Sequence, residues 1–94
     1  MIFQKMKVKI KPIPPLSRIV KEIEVDIPTD EVTVKGLVKQ LKSKVENLPF
    51  DESGKVKAGY IVLINGVDVR VLYLEDKSLK GDLELVIIPV NHGG

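Results

Sequence analysis

The sequence predicts an α+β fold, in which a mixed sheet of four to five strands carries one main helix packed across it. Three observations lead to this prediction. The chain has 94 residues, which is the size of one domain. Apolar and charged residues alternate near the N-terminus, as in half-buried strands, and the middle carries one apolar stripe at helical spacing. Two Phe, two Tyr and no Trp are present, so we expect a core of Val, Ile and Leu.

The N-terminal third predicts an antiparallel hairpin. Over residues 5–11 lysines alternate with Met6, Val8 and Ile10, and three prolines then end this first strand because proline cannot donate to a sheet ladder. A second strand is predicted over residues 19–27, with acidic residues at alternate positions. Lysines facing those acids would contribute about 0.2–1 kcal/mol per pair. We interpret the lysine row as a solvated sheet face and not as a binding patch.

One helix is predicted to begin after Thr33, which can cap its N-terminus, and to end before Pro49. Lysines occupy the face opposite the apolar stripe, and we interpret that face as solvated and not as RNA-binding. Gly36 lowers helix stability by about 1 kcal/mol relative to alanine, which indicates close packing near it. The apolar stripe consists of Val34, Leu37, Val38, Leu41, Val45 and Leu48.

The segment after the helix predicts a loop and a second hairpin. Residues 50–59 contain two glycines and mixed charges and are interpreted as a loop. Residues 60–64 are continuously apolar, as expected of a strand that is buried on both faces or central in its sheet. Asn65-Gly66 is a strong signal for a two-residue hairpin turn. We expect residues 67–71, with valine at alternate positions, to continue as a strand.

The C-terminal strand decides the topology. A polar connection over residues 75–82, with Gly81 at a turn, leads into a strand over residues 83–88 that Pro89 closes. If this last strand lies parallel beside the first strand, the single helix packs across a mixed sheet. That is a β-grasp arrangement, which chain connectivity allows.

The composition argues against several classes of function. There is no cysteine, so the chain forms no disulfide, thiolate nucleophile or cysteine-based zinc site. A formal net charge of +2 gives no strong reason to expect direct nucleic-acid binding. The longest apolar runs fall far short of a membrane span, and no secretory signal is visible. Phosphate-loop and nucleophile–base motifs are also missing, so we expect a protein that is not an enzyme. We further expect it to be cytoplasmic, with no metal site and no membrane partner.

The sequence ends in Gly93-Gly94, shortly after the last apolar strand. Glycine reaches backbone conformations that are closed to other residues, so this pair can thread a narrow channel and present the Gly94 carboxylate to an enzyme. The plainer alternative is a frayed terminus, where small residues are common. We expect residues 1–90 to form a single β-grasp domain and residues 91–94 to form a flexible Gly-Gly tail.

These features together resemble the ubiquitin-like sulfur carriers. The group includes the ubiquitin-related modifier, the small archaeal modifiers, the thiamine sulfur carrier and the small subunit of molybdopterin synthase. The resemblance covers nearly the whole chain and rests on the order of elements, the strand running into Asn65-Gly66, the Gly81-Asp82 turn and the terminal glycines. The ending His92-Gly93-Gly94 is similar to the ubiquitin-related modifier, whereas Pro89 is more similar to the synthase subunit.

The resemblance implies a carrier and not a catalyst, with no cofactor bound by the chain itself. An activating enzyme would use ATP to adenylate the Gly94 carboxylate. A sulfur donor would convert it to a thiocarboxylate that serves molybdopterin synthesis or transfer-RNA thiolation, or a target-protein lysine would be joined to it. His92 would orient the tail, although a solvated tail residue is an equal alternative.

Two further functions stay open at this point. The chain can be the small subunit of molybdopterin synthase, in which case the large subunit is its partner. It can also be a passive β-grasp interaction domain whose terminal glycines have no role. Gene neighbours, or conjugates on lysines, would separate the modifier from the synthase subunit.

A docking surface is predicted on the last strand. One alternate set of its side chains must face the helix, which leaves Val86 and Ile88 on the open face of the sheet, close to the tail and to Pro89. Exposed β-branched residues there suggest a docking patch for an activating enzyme or a synthase subunit. The alternative is that the loop over residues 50–59 covers this strand.

Overall fold

The computed structural model describes residues 5–90, which form a five-stranded mixed sheet, a separate two-stranded sheet and two α-helices. A short 3-10 turn, Leu16–Arg18, interrupts the first hairpin connection. The strands are β1 (Met6–Pro12), β2 (Ile23–Ile27), β3 (Glu31–Thr33), β4 (Tyr60–Ile64), β5 (Val67–Asp68), β6 (Ser78–Lys80) and β7 (Leu83–Pro89). The helices are α1 (Val34–Lys44) and α2 (Val69–Glu75).

The five-stranded sheet has the order β2-β1-β7-β4-β5. Strand β7 lies between β1, to which it is parallel, and β4, to which it is antiparallel. Leu85 is the partner of Ile10 on one side and of Ile64 on the other. The predicted β-grasp arrangement is therefore confirmed, with the C-terminal strand at the centre of the sheet.

The first hairpin forms as predicted, but its second strand begins later. Lys7 is the partner of Asp26, and Lys9 is the partner of Glu24, so lysines face acids across the outer face. The prediction that Ile19 belongs to this strand is wrong, because Ile19 follows the 3-10 turn with 68% of its surface exposed. The proline-rich connection turns the chain before pairing can resume.

Helix α1 begins at the predicted cap and ends earlier than predicted. The Thr33 hydroxyl oxygen accepts a hydrogen bond from the Gly36 N–H at 3.1 Å. The helix ends at Lys44 and not at Pro49, because Val45 is extended and Asn47 has a φ of 66°. The extended backbone after Lys44 brings Leu48 into the core. Leu48 also precedes Pro49, and a residue before proline disfavours the helical conformation.

Gly36 is packed as closely as the sequence indicates. A Cβ atom at this position would lie 3.1 Å from Val32 Cγ2 and 3.2 Å from Thr33 Oγ1. Such distances are shorter than ordinary van der Waals contact, so a side chain here would press against the strand that precedes the helix.

We expect Thr33→Ala to lower the free energy of unfolding by about 1 kcal/mol, because the Gly36 N–H loses its partner at the helix N-terminus. Urea denaturation followed by circular dichroism would measure the change. Ser43→Ala is the matched control, since the exposed Ser43 hydroxyl only donates to the Gln40 carbonyl near the helix end. Equal losses for both variants would contradict a capping role.

The second hairpin turn is confirmed. Asn65 and Gly66 have φ values of 47° and 83°, both in the left-handed region that a tight turn between strands requires. The Asn65 side-chain oxygen also accepts a hydrogen bond from the Glu84 N–H at 2.8 Å. Strand β4 is buried on one face only, and it lies next to the short edge strand β5.

The prediction of a strand over residues 67–71 is wrong beyond Asp68. The Asp68 carboxylate accepts a hydrogen bond from the Arg70 N–H at 2.8 Å and begins α2. This helix buries Val69 and Leu72, which are three positions apart, and leaves Val71 exposed. Alternating valines favour a strand locally, but the cap and the helical spacing of the buried residues prevail in the folded chain.

The polar connection after α2 contains a strand that the sequence pattern does not predict. Strand β6 pairs antiparallel with β3, and Leu79 is the partner of Val32. Three residues per strand are too few to show an alternation in the sequence. The turn at Gly81 is confirmed by its φ of 75°.

The core lies between the sheet and α1, with Leu37 and Leu41 of the helix over Ile10, Leu85 and Ile87 of the sheet, all fully buried. Its members are almost all aliphatic, as predicted. Within residues 5–90 no polar or charged side chain is buried. No helix in this range is long and apolar enough to cross a membrane.

Candidate functional site: the open sheet face and the C-terminal exit

The central position of β7 determines where the C-terminal segment leaves the sheet. The Ile13 N–H donates to the Ile87 carbonyl at 2.9 Å on the β1 side. The Val90 N–H donates to the Gly59 carbonyl at 2.8 Å on the β4 side. The backbone is therefore held on both sides near the exit, and its position is set up to Val90.

Gly93 and Gly94, which are expected to be activated, and His92, which is expected to orient the tail, lie outside the described residues, so their roles stay predictions. The division into a domain over residues 1–90 and a tail over residues 91–94 stays a prediction as well. Four residues follow Val90 in the sequence. Because an extended chain rises at most about 3.6 Å per residue, the Gly94 carboxylate stays within about 14 Å of Val90.

Val86 and Ile88 lie on the face of the sheet opposite α1, where strand alternation places them. Both are half-buried. Their partners on β4 are Leu63 and Ile61 respectively, so four aliphatic side chains adjoin in two cross-strand pairs. We call Ile61, Leu63, Val86 and Ile88 the aliphatic patch.

The structure places Pro89 apart from this patch. Pro89 is the partner of Tyr60 on β4. Side chains at alternate positions of a strand share one face of the sheet, so Pro89 lies on the same face as Leu85 and Ile87, which is the helix side. The residues that adjoin Val86 and Ile88 on the open face are instead Leu63 and Ile61 of β4. The sequence signal that could have found them is the unbroken apolar run of β4. Only one face of β4 is buried in the core, so every second apolar side chain of this run must lie on the open face.

Charged residues border the aliphatic patch on the β1 side. Lys11 is the register partner of Val86, and its Nζ atom lies 3.4 Å from Glu84 Oε2. Both side chains are exposed enough that the ion pair is screened by solvent and contributes little to stability. The patch is thus an apolar centre with a charged border, which is typical of a protein-binding surface.

The loop over residues 50–59 packs against the helices, away from the aliphatic patch. Lys42 Nζ on α1 donates to the Asp51 carbonyl at 2.5 Å, and the Tyr73 hydroxyl on α2 donates to the Gly54 carbonyl. Burial, and then the nearby charge of Asp51, raises the pKa of Tyr73 above its usual value, so the hydroxyl stays a donor. These contacts all lie on the helix side, and none of them covers Val86 or Ile88.

The Asp51 carboxylate organises this loop. Its Oδ1 atom accepts hydrogen bonds from the Ser53 hydroxyl at 2.7 Å, from the Ser53 N–H at 2.9 Å and from the Lys55 N–H at 3.0 Å. The bond from the Ser53 hydroxyl, and then the bond from Lys55, hold the pKa of Asp51 below its ordinary value of 3.8.

We expect the 51–55 turn to loosen under acid conditions. The folded-state pKa of Asp51 is below the unfolded one, so the carboxylate stabilises the turn above about pH 4, and this contribution is lost as the pH falls through the folded-state pKa. The Ser53 and Lys55 amide resonances should report a midpoint below 3.8 in a pH titration by NMR. Asp51→Asn should remove that titration, and a midpoint at or above 3.8 in the wild-type protein would contradict the assignment.

Within residues 5–90 no group of three or more His, Asp or Glu side chains is placed to hold a metal ion. The features that converge at this end of the sheet are a solvent-facing aliphatic patch and a backbone exit that leads to the terminal glycines.

Comparisons with known proteins agree with this picture. A family model described as Urm1 (Ubiquitin related modifier) matches residues 15–94. The crystal structure of Urm1 from Sulfolobus solfataricus is similar at 30% identity, with coverage of 87% of this chain and 99% of that chain and a TM-score of 0.57. The solution structure of small archaeal modifier protein 1 from Methanosarcina acetivorans is similar at 23% identity, with coverage of 97% and 99% and a TM-score of 0.64.

The solution structure of Urm1 from Trypanosoma brucei is also similar. Its identity to this chain is 22%, it covers 99% of this chain and 100% of that chain, and its TM-score is 0.64. No match was found among functionally curated proteins.

Proposed function

The chain belongs to the Urm1 (ubiquitin related modifier) family, and we propose that it is a modifier and sulfur carrier whose Gly94 carboxylate is adenylated by an activating enzyme. One observation carries the proposal. The family match runs from residue 15 through Gly94, so it includes the terminal glycine pair as well as the fold. The chain has the ubiquitin-like fold of a modifier, and its part in the reaction is that of a carrier on which other proteins act.

The first step would activate the carboxylate. One Gly94 oxygen attacks the α-phosphate of ATP, forms an acyl-adenylate and releases pyrophosphate. A free carboxylate is a poor acyl donor because its leaving group would be oxide, whereas AMP leaves readily. The role of this chain is presentation: Val90 is held by Gly59, and the carboxylate can extend up to about 14 Å beyond it into an enzyme site.

The second step would transfer the activated acyl group. A partner persulfide attacks the carbonyl carbon and displaces AMP, and a second partner thiol then cleaves the sulfur–sulfur bond, which leaves a thiocarboxylate on Gly94 and a partner disulfide. Alternatively, a lysine amine of a target protein displaces AMP and forms an isopeptide bond. The chain contains no cysteine, so every thiol in these steps must come from partners.

The aliphatic patch would hold the activating enzyme while the tail enters its site. The patch and the exit are carried by the same strand, since Ile88 lies two residues before Val90. A partner seated on the open face is therefore close to the start of the tail.

We expect the double variant Val86→Asp/Ile88→Asp to lower the kcat/KM of tail adenylation by at least about 10-fold, because docking would then bury two unpaired carboxylates against the partner. ATP–pyrophosphate exchange with the purified activating enzyme of the same source would measure it. Ser17→Asp/Ser43→Asp adds the same charge at exposed positions away from the patch and is the matched control. Unchanged exchange with the patch variant would show that docking takes place elsewhere.

A second candidate function is the small subunit of molybdopterin synthase, which Pro89 at the end of the last strand favours. In that case the thiocarboxylate would donate its sulfur inside a large subunit, and no lysine conjugates would form. Co-purification of the chain from its source separates the two candidates, since a stable complex with one larger subunit indicates the synthase and a ladder of lysine-linked adducts indicates a modifier.

Intact mass spectrometry tests the proposal as a whole. The chain is incubated with ATP, a sulfur donor and an extract of its own source, and a thiamine sulfur carrier serves as the positive control for the extract. Replacement of one terminal oxygen by sulfur, or the appearance of lysine-linked adducts, would support an activated tail. An unchanged mass in an extract that activates the control would instead indicate a passive interaction domain.

A further inference from the structure

A groove lies between α1, the loop over residues 50–59 and α2, on the helix side of the sheet, and the proposed function does not use it. It consists of two adjoining depressions of about 540 and 500 Å³, which share Lys35, Ser53 and Tyr73. The hydrogen bond from the Tyr73 hydroxyl to the Gly54 carbonyl joins its two walls. Five basic side chains line it, and we call it the basic groove: Lys35, Lys39, Lys42, Lys55 and Arg70.

The charge of this groove is opposite to that of the remaining chain. Its lining contains five basic side chains and one acidic side chain, Glu52. Since the whole chain holds 15 basic and 13 acidic residues, ten basic and twelve acidic residues remain outside the groove. The formal net charge of +2 is therefore the sum of a positively charged groove and a remainder of the chain that carries a small negative charge.

Several of these cations are available to a ligand. Among residues 5–90, Lys35, Lys39 and Lys55 take part in no salt bridge, and all three are exposed. Arg70 is held in place, because its guanidinium donates to the Tyr60 carbonyl at 3.2 Å and lies 3.6 Å from Asp68. The groove thus combines a positioned guanidinium with free ammonium groups.

The groove also has an apolar wall. Leu74 lines it with 88% of its surface exposed, which is the largest exposure of any large hydrophobic side chain in the described range, and the half-buried Val56 lies in the same lining. An exposed leucine beside free lysines complements a ligand that carries both carboxylates and apolar side chains. A nucleic acid would not use Leu74, and the Tyr73 ring is partly buried with its hydroxyl engaged, so it is poorly placed for base stacking.

We propose that the basic groove binds an acidic peptide segment of a partner protein, with a large apolar residue of that segment against Leu74 and its carboxylates on the lysines and Arg70. This inference does not depend on activation of the tail. The groove lies on the helix side and the aliphatic patch on the opposite face, so one partner can occupy the groove while another occupies the patch.

Fluorescence anisotropy with a short labelled peptide, in which glutamates flank two leucines, tests the proposal. We expect saturable binding that weakens with added salt. Lys35→Glu/Lys39→Glu should raise the Kd by at least about 10-fold, because like charges would then face each other. Lys21→Glu/Lys44→Glu changes the net charge equally at exposed sites outside the groove and should raise it far less.

Leu74→Ser distinguishes a peptide site from a general polyanion site. Leu74 is 88% exposed, so its replacement should not disturb the fold, which an amide NMR spectrum would verify. We expect it to raise the peptide Kd by about 5-fold, a contribution of the order of partial leucine burial.

Three outcomes would overturn the proposal. The first is absence of binding at peptide concentrations of about 1 mM, which corresponds to an interaction weaker than about 4 kcal/mol. The second is an equal effect of the two double variants, which would indicate general electrostatics. The third is tighter binding of a single-stranded RNA of equal charge that Leu74→Ser leaves unchanged, which would make the groove a nucleic-acid site.

Discussion

Addition of one alanine after Gly94 is expected to reduce activation of the tail by roughly 10²-fold or more, since displacement of a reacting group by about 1 Å can already have an effect of that size. One extra residue moves the carboxylate by up to about 3.6 Å along an extended chain and places a Cβ atom beside it. Intact mass spectrometry, with ATP, a sulfur donor and extract from the same source, would show the thiocarboxylate in the wild-type chain and not in the extended chain.

The matched control for this variant is one alanine added before Met1, which gives the same increase in mass without changing the tail. Removal of Gly94 should also abolish the reaction, because Gly93 would then fall short of the position of the reacting carboxylate. If the C-terminally extended chain is converted as fast as the control, the terminal glycines have no part in the reaction, and the passive interaction domain becomes the better description.

Leu85→Ala is expected to lower the free energy of unfolding by about 2–5 kcal/mol, the range for a buried leucine whose removal leaves a cavity. Leu85 is fully buried at the centre of the sheet, where Ile10 and Ile64 flank it on the neighbouring strands. Because a domain of this size is stable by only about 5–15 kcal/mol, the variant should unfold at a much lower urea concentration.

Val86→Ala is the control for this substitution, since Val86 is the next residue of the same strand and faces the open side of the sheet. It should lower the free energy of unfolding by less than about 1.5 kcal/mol, because its side chain loses little buried surface. Similar losses for the two variants would mean that the open face is covered by another part of the protein.

The regular elements of this fold could be predicted because their patterns are local and long enough to be distinctive. Lysines that alternate with Met6, Val8 and Ile10 predict β1, and the structure shows the matching alternation of burial. Asn65-Gly66 is a residue pair that strongly favours a two-residue hairpin turn. Chain connectivity only allowed the topology, and the parallel pairing of β7 with β1 is established by the structure. These predictions required no knowledge of distant contacts.

The elements that were missed depend on contacts between distant parts of the chain. Strand β6 exists because β3 lies beside it, and neither strand has a pattern of its own. Helix α2 replaces the expected strand because Asp68 caps it and because Val69 and Leu72 both reach the core. The alternation of valines in that segment is real, but local periodicity does not say which side chains have a core to pack against.

The candidate docking face could be predicted only in part. The alternation of side chains along β7 identified Val86 and Ile88. The two further members of the aliphatic patch, Ile61 and Leu63, can be identified only from the register of β4 against β7. Pro89 was associated with them by proximity in the sequence, whereas its parity places it on the other side of the sheet. Within a single strand, the alternation of side chains therefore predicts which residues share a face of the sheet better than their distance along the chain does.

The pairing of β7 with β1 also bears on how the protein is made. The strand that completes the sheet is synthesised after the other six described strands, and Val8, the partner of its first residue, lies 75 positions before Leu83. Such long-range pairing favours slow folding, and it prevents a nascent chain on the ribosome from reaching the native state before β7 has emerged. A prematurely terminated translation product without this strand would stay unfolded and would be open to degradation. Native folding therefore acts as a check that synthesis has proceeded at least to the residues from which the tail departs.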